Sequence, residues 1–286
     1  MHRRVNHMLD AQERWAKPVG EWNQRWITAA FARTRPLKDV LNGVWLGHPV
    51  HPAVTDVPVG ALTAGVLLDL AGQRKAADIV TATGVAAMVA SAATGAADAV
   101  DAYGRPQVQA TVHASIMVAS LTAYLASLAV RAARPSWRLL AVSFALLGYA
   151  GVAAGAYVGG ELVYGSGNMV DRHAWRTGGA RWRRLDVTEV PEGALIRANA
   201  GQDTLVLYRA GDAIHALDDT CAHAGAPLSG GAVIDGCVRC PWHGSRFRLS
   251  DGRVVRGPAV YDQPAYEVRA VDGGALEARR LPGPLD

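Results

Sequence analysis

The sequence predicts a two-part molecule: an all-α four-helix transmembrane bundle followed by a small all-β antiparallel domain. Three observations carry this reading. Half of the 286 residues are apolar and only 19% are charged, against the about 25% usual in a soluble domain. Four long stretches between residues 54 and 160 hold almost no charge. Beyond residue 180 the pattern becomes short β-rich runs separated by Gly, Asp and Pro, the signature of hairpin-connected strands. The length suits two domains at about 100–200 residues each.

The expected organisation is an N-terminal segment over 1–40, a membrane domain over 41–170, a linker over 171–181 and a β domain over 182–286. No cleavable export signal is visible, because no apolar stretch follows Arg3-Arg4. In its place stands WAKPVGEWNQRWITAAFARTRPLK, with Val19, Trp22, Trp26 and Ala30 at helical spacing and Arg25, Arg33 and Arg35 beside them. Residues 19–34 read as a basic amphipathic helix lying on membrane lipid; packing on the protein itself is the competing reading.

The four spans are expected at about 54–72, 79–97, 108–130 and 139–160, each near the about 20 residues that cross a bilayer. They are apolar all round, as lipid-facing or deeply buried helices are. Gly151, Gly155 and Gly159 place GxxxGxxxG on one face of the fourth, for close approach of a neighbour. The stretch LGHPVHPAVTDVP opens the first span, and its two HP steps favour an extended or turned entry. No repeat of solenoid period is evident. The segment over roughly 40–170 resembles a family of small bacterial four-helix membrane proteins, which implies a fold and no activity.

Four spans place both termini and the 98–107 loop on one side. Arg33, Arg35, Lys38, Arg105, Arg172 and Arg176 lie there, against Arg74, Lys75, Arg131, Arg134 and Arg138 on the other, which decides little by the positive-inside rule. The β domain is expected in the cytoplasm of a bacterial inner-membrane protein, because no export signal is seen and, by the resemblance given below, no loop disulfide either. The net charge of +4 is mild and clustered, so no nucleic-acid partner is expected.

The chemistry sits at the end of the chain. All three cysteines, Cys221, Cys237 and Cys240, lie close together, which suggests a metal site rather than a disulfide framework. CAHAGAPLSG and CPWHGSRF combine as C-x-H, sixteen residues, C-x2-H, in loops rich in Gly and Pro. Two thiolates and two imidazoles can hold one tetrahedral zinc or a [2Fe–2S] cluster with Cys221 and Cys240 on one iron and His223 and His243 on the other.

On those residues, 182–280 resembles a Rieske [2Fe–2S] domain. The resemblance implies Cys221 and Cys240 on an inner iron, and His223 and His243 on an outer one near the surface. The respiratory branch carries a loop disulfide where this chain has Ala226 and Trp242, and a Tyr where it has Phe247; Ser245 matches that branch's hydroxyl. Ser245, Phe247 and Trp242 are thus the expected surroundings of the cluster. Fewer hydrogen bonds to sulfur imply a low potential, as in the ferredoxins that feed oxygenases. Cys237, on the strand before Cys240, reads as a buried structural thiol.

No His follows His243, so the second, mononuclear iron site of an oxygenase, typically two His and a carboxylate, has no ligands there. There is no GxGxxG, so no nucleotide or flavin is expected. Three functions stay open: a membrane-anchored single-electron carrier with unknown redox donor and acceptor, a quinol oxidoreductase, and a non-redox module stabilised by zinc. The second would need another site, for haem b or quinone. Its candidate residues are His48 and His51 before the first span, His113 just inside the third and His173 after the fourth, since ionisable groups at membrane depth are costly and tend to be functional.

Overall fold

The computed structural model describes residues 7–175, 181–271 and 273–282. Arg3, Arg4 and Arg176 lie outside the described residues. The chain forms two compact units, Met1–Leu37 with Val50–Asn168, and Lys38–Pro49 with Met169–Asp286.

The first unit contains helix α1 (Glu13–Ala32) and four long helices; α2 (Arg35–Asn42) follows α1. The long helices are α3 (Val50–Leu70), α4 (Arg74–Ala99), α5 (Arg105–Ala133) and α6 (Arg138–Gly160), and all four are long and apolar enough to cross a membrane. They pack in a closed ring, α3 on α4, α4 on α5, α5 on α6 and α6 back on α3, so α3 and α5 stand diagonally across the bundle. The second HP step falls inside α3 rather than before it: Pro52 occupies the first helical turn, where a missing N–H leaves no bond unmade. Only His48-Pro49 forms the turned entry.

Small residues set the spacing, because lipid provides no hydrophobic drive for helix pairing and close contact must replace it. A Cβ on Gly151 would come within 2.9 Å of the Ser120 side chain, and one on Gly159 within 3.3 Å of His113, so the glycine face of α6 packs on α5. Leu62 likewise fills the space above Gly84, and Tyr124 that above Gly148.

These contacts reveal a repeat that the sequence reading did not find. One constant interval separates His51 from His113, Leu62 from Tyr124 and Asp69 from Arg131. Another separates Gly84 from Gly148, Ser91 from Gly155 and Gly95 from Gly159. Hairpin α3–α4 is therefore repeated as α5–α6, with equivalent positions meeting in both. The repeat survives in packing positions while the residue types drift, so composition and motif do not show it.

One end of the bundle is closed by four charges, one from each helix. Arg131 donates to Asp69 at 2.5 Å and to Asp78 at 2.6 Å. Arg138 donates to Asp78 at 2.5 Å and also to Asp69. Helix α1 packs its Ala16 and Gly20 face on α5, and Gln24 donates to the Ala102 carbonyl just beyond the end of α4 at 2.6 Å. Trp22 and Trp26 on its other face stay 55% and 63% exposed.

The second unit is antiparallel β. Its larger sheet has six strands in the order β1 (Arg183–Arg184), β10 (Ala275–Arg280), β9 (Ala265–Val271), β4 (Ala213–Asp218), β3 (Asp203–Ala210) and β2 (Leu195–Ala200). A bridge from Leu185 to Ala200 brings its two edges together. The smaller sheet runs β5 (Ala232–Ile234), β6 (Cys237–Arg239), β7 (Arg246–Arg248), β8 (Val254–Arg256). Strand alternation divides the core in two. Leu205, Leu207 and Ala216 point into the larger sheet's own core. Their neighbours Val206 and Leu217 point the other way, to a cluster holding Cys221, Cys240, Ala226 and Phe247. Burying each such Leu contributes about 1.5–3 kcal/mol.

Candidate metal centre

Two loops build the site with the same turn. In the first, between β4 and β5, the Cys221 N–H donates to the Ala226 carbonyl at 2.8 Å and the Gly225 N–H returns to the Cys221 carbonyl at 2.8 Å. In the second, between β6 and β7, the Cys240 N–H donates to the Ser245 carbonyl at 2.8 Å and the Gly244 N–H to the Cys240 carbonyl at 3.2 Å. The closing residues, Gly225 and Gly244, sit at φ +84° and +75°, a left-handed conformation that favours glycine. Only the second loop is a hairpin; the first connects the two sheets.

Both loops are braced from residues 257–263. The buried Gln263 amide donates to the Asp218 and Thr220 carbonyls, both at 2.7 Å, and its oxygen accepts the Ala222 N–H at 3.0 Å. The buried Ser245 hydroxyl accepts the Ala259 N–H at 3.0 Å. Asp219 anchors the far end of the first loop through the Ser229 N–H at 2.7 Å. Sequence reasoning missed Gln263 and Asp219, because an isolated polar residue beside a strand carries no local signal of what it braces.

The turns bring four chemical groups together as two pairs. The Nδ1 atoms of His223 and His243 are 3.1 Å apart, with ring planes at 89°. The Cys221 thiol donates to Cys240, drawing the Cys240 thiol down and pushing its own up. Backbone N–H groups of His243, Trp242 and Gly244 also favour a thiolate at Cys240, and those of His223 and Ala224 do so at Cys221. Burial, followed by the charge of His243, Lys38 and Arg172, pushes His223 down to about 3, so its ring is neutral and able to ligate at any ordinary pH. His223 is buried and His243 half-exposed. Among the described residues, no three His, Cys, Asp or Glu side chains gather as they would around one ion.

Around these pairs, Phe247 and Ala226 are fully buried beside the thiols, and Trp242 is exposed against the edge of His243 with ring centroids at 6.2 Å. Cys237 is buried on β6 with its thiol toward the Asp235 carbonyl. Of the four other histidines considered, His51 and His113 face each other in the bundle. His48 turns its ring to the Pro49 carbonyl. His173 is buried between Asp171 at 3.4 Å and Asp218 at 3.3 Å.

A buried thiol pair beside an imidazole pair with one ring buried and one half-exposed, on two matching loops, is an arrangement able to hold an iron–sulfur cluster through mixed Cys and His ligation, in a chain that also carries a four-helix unit. Residues 182–267 match the Rieske [2Fe-2S] domain family, and residues 47–172 match the family described as predicted membrane protein (DUF2231). The chain belongs to the Rieske [2Fe-2S] family. It is 36% identical over 95 residues to the anthranilate 1,2-dioxygenase ferredoxin subunit of Burkholderia cepacia, covering 33% of this chain and 88% of the relative. It is 34% identical over 91 residues to the 3-phenylpropionate/cinnamic acid dioxygenase ferredoxin subunit of Escherichia coli K12, covering 32% of this chain and 84% of the relative. Among solved structures, the ferredoxin of carbazole 1,9a-dioxygenase from Nocardioides aromaticivorans IC177 matches at 27% identity and TM-score 0.31, covering 34% of this chain and 94% of that one. The protein is a membrane protein with a [2Fe–2S] cluster and an electron-carrier role.

Proposed function

We propose that Cys221 and Cys240 hold one iron of the cluster through their thiolates, that His223 and His243 hold the other through Nδ1, and that the chain is a membrane-anchored carrier of single electrons. The paired geometry supports this most directly. Two imidazoles on one metal, at a metal–nitrogen distance of about 2.0–2.1 Å, bring their nitrogens to just over 3 Å apart, and these stand at 3.1 Å. A single tetrahedral zinc would need all four groups around one point, and no such gathering is found among the described residues. When bound, the cluster supplies a one-electron couple. The protein's part is to keep the thiols buried, aim backbone N–H groups at sulfur, and leave His243 and Trp242 toward solvent as the edge for electron exchange.

The names of the dioxygenase ferredoxin subunits among its relatives point to an oxygenase-type acceptor, with a separate redox protein as donor. The helices α3–α6 anchor the carrier in a bacterial inner membrane, with the exposed Trp22 and Trp26 face of α1 against lipid headgroups and the cluster domain in the cytoplasm. Protein purified in detergent should be red-brown and contain two irons and two labile sulfides per chain, with a Rieske-type EPR signal on reduction. His243→Ala or Cys240→Ser should abolish both colour and signal. A colourless wild type holding one zinc would refute the reading.

A further inference from the structure

We propose that the membrane unit carries a second metal site, with His51 and His113 as the two axial ligands of one haem iron. Each histidine sits in the same notch of the neighbouring helix. The His51 Nδ1 lies 3.0 Å from the Ser91 carbonyl, and its ring rests on Gly95 one turn further along α4. The His113 Nδ1 lies 2.9 Å from the Gly155 carbonyl, and its ring rests on Gly159 one turn further along α6. A carbonyl only accepts, so both Nδ1 atoms carry the proton and both Nε2 atoms present a lone pair. Neither Nε2 has a hydrogen-bond partner among the described residues. An imidazole fixed by Nδ1–H on a backbone carbonyl, with Nε2 free, is how a metal-ligating histidine is held.

Position and count then select the metal. His51 and His113 occupy equivalent places in the repeated hairpins, on diagonal helices, so they approach each other across the axis that relates the repeats. Their ring centroids are 6.3 Å apart with planes at 84°. Imidazoles on opposite sides of one metal, each bonded at about 2.0–2.1 Å, have centroids about 6 Å apart. No third ligand gathers there among the described residues, whereas zinc takes three or four from the protein. A haem iron needs only two, since the porphyrin supplies the rest. Gly95 and Gly159 make the room that the two imidazoles themselves fill, and the helices around them are apolar, as the surroundings of a macrocycle are. The ninth residue of α5, His113 lies about 12 Å along that helix, a depth at which an imidazole without a task is costly.

The test titrates hemin into the full-length protein purified in detergent, read by absorption and by EPR. The wild type should take up one hemin per chain in a low-spin, two-imidazole state. His51→Gln and His113→Gln keep a side-chain donor for the Ser91 and Gly155 carbonyls, so helix content should hold. Each should nevertheless lose the low-spin signal and weaken uptake by about tenfold or more, while His48→Ala leaves both unchanged. The Rieske signal in the same samples keeps this outcome separate from that of the cluster. No saturable uptake by the wild type would overturn the proposal. So would a low-spin signal that persists in the double Gln variant, or binding of Cu⁺ or Zn²⁺ without hemin.

Discussion

Ser245 is fully buried, and its hydroxyl oxygen already accepts the Ala259 N–H. Its own proton therefore remains to be donated, and the resemblance to the Rieske family makes a cluster sulfur the acceptor to test. A hydrogen bond to cluster sulfur stabilises the reduced, more negative form. Ser245→Ala should lower the midpoint potential by on the order of tens of mV. Phe247→Tyr, which adds a hydroxyl inside the same core, should raise it. Protein-film voltammetry checks both, and an unchanged Ser245→Ala midpoint would remove that bond from the account. His173 supplies a pH test of the same unit. Burial pulls its pKa down, but Asp171 and Asp218 outweigh that and hold it above the ordinary 6.5. A raised folded pKa means stability fully present below about 6.5 and lost as pH rises through the higher folded value. The thermal midpoint of the cluster domain should fall across that window in the wild type and stay flatter in His173→Asn. Parallel profiles would show that His173 is not the linked group.

Helices and loops differ in how much of their role the sequence discloses. Both Cys–His pairs proposed as ligands are legible because each couple is local and its turn is marked by Gly225 or Gly244. The spans were legible because crossing lipid imposes length and apolarity. The closing charges were misread: Arg131 and Arg138 counted as topological signals, and their distant partners Asp69 and Asp78 only meet them through packing. Asp69 and Arg131 are almost fully buried there. Removing one partner of a buried pair leaves an unmatched charge and costs about 3–5 kcal/mol, whereas replacing both by neutral groups costs much less. Asp69→Asn should thus lower the unfolding midpoint of the detergent-purified chain sharply, and Asp69→Asn with Arg131→Gln should recover much of the loss. If the double variant is worse than the single, the four charges do not act as a clamp.

At the scale of the whole molecule, the same clamp bears on orientation. With Arg131 and Arg138 tied to Asp69 and Asp78 inside the bundle, the exposed basic residues at that end are Arg74, Lys75 and Arg134. The opposite end keeps Arg33 and Arg105 exposed and Arg35 half-exposed, and in the sequence Arg172 comes after the last span, beyond a further turn at Glu161–Gly165. Lys and Arg near the spans favour the cytoplasmic side, which supports the cytoplasmic placement proposed for the cluster domain. A cytoplasm-active fluorescent reporter fused after Asp286 should glow, and a phosphatase that works only after export should stay silent at the same point. Adding two Lys beside Arg74 should weaken this preference and yield a mixed population, because charge on that side then approaches the other. An active phosphatase after Asp286 in the unaltered chain would place the cluster outside and direct the search for partners to exported electron carriers.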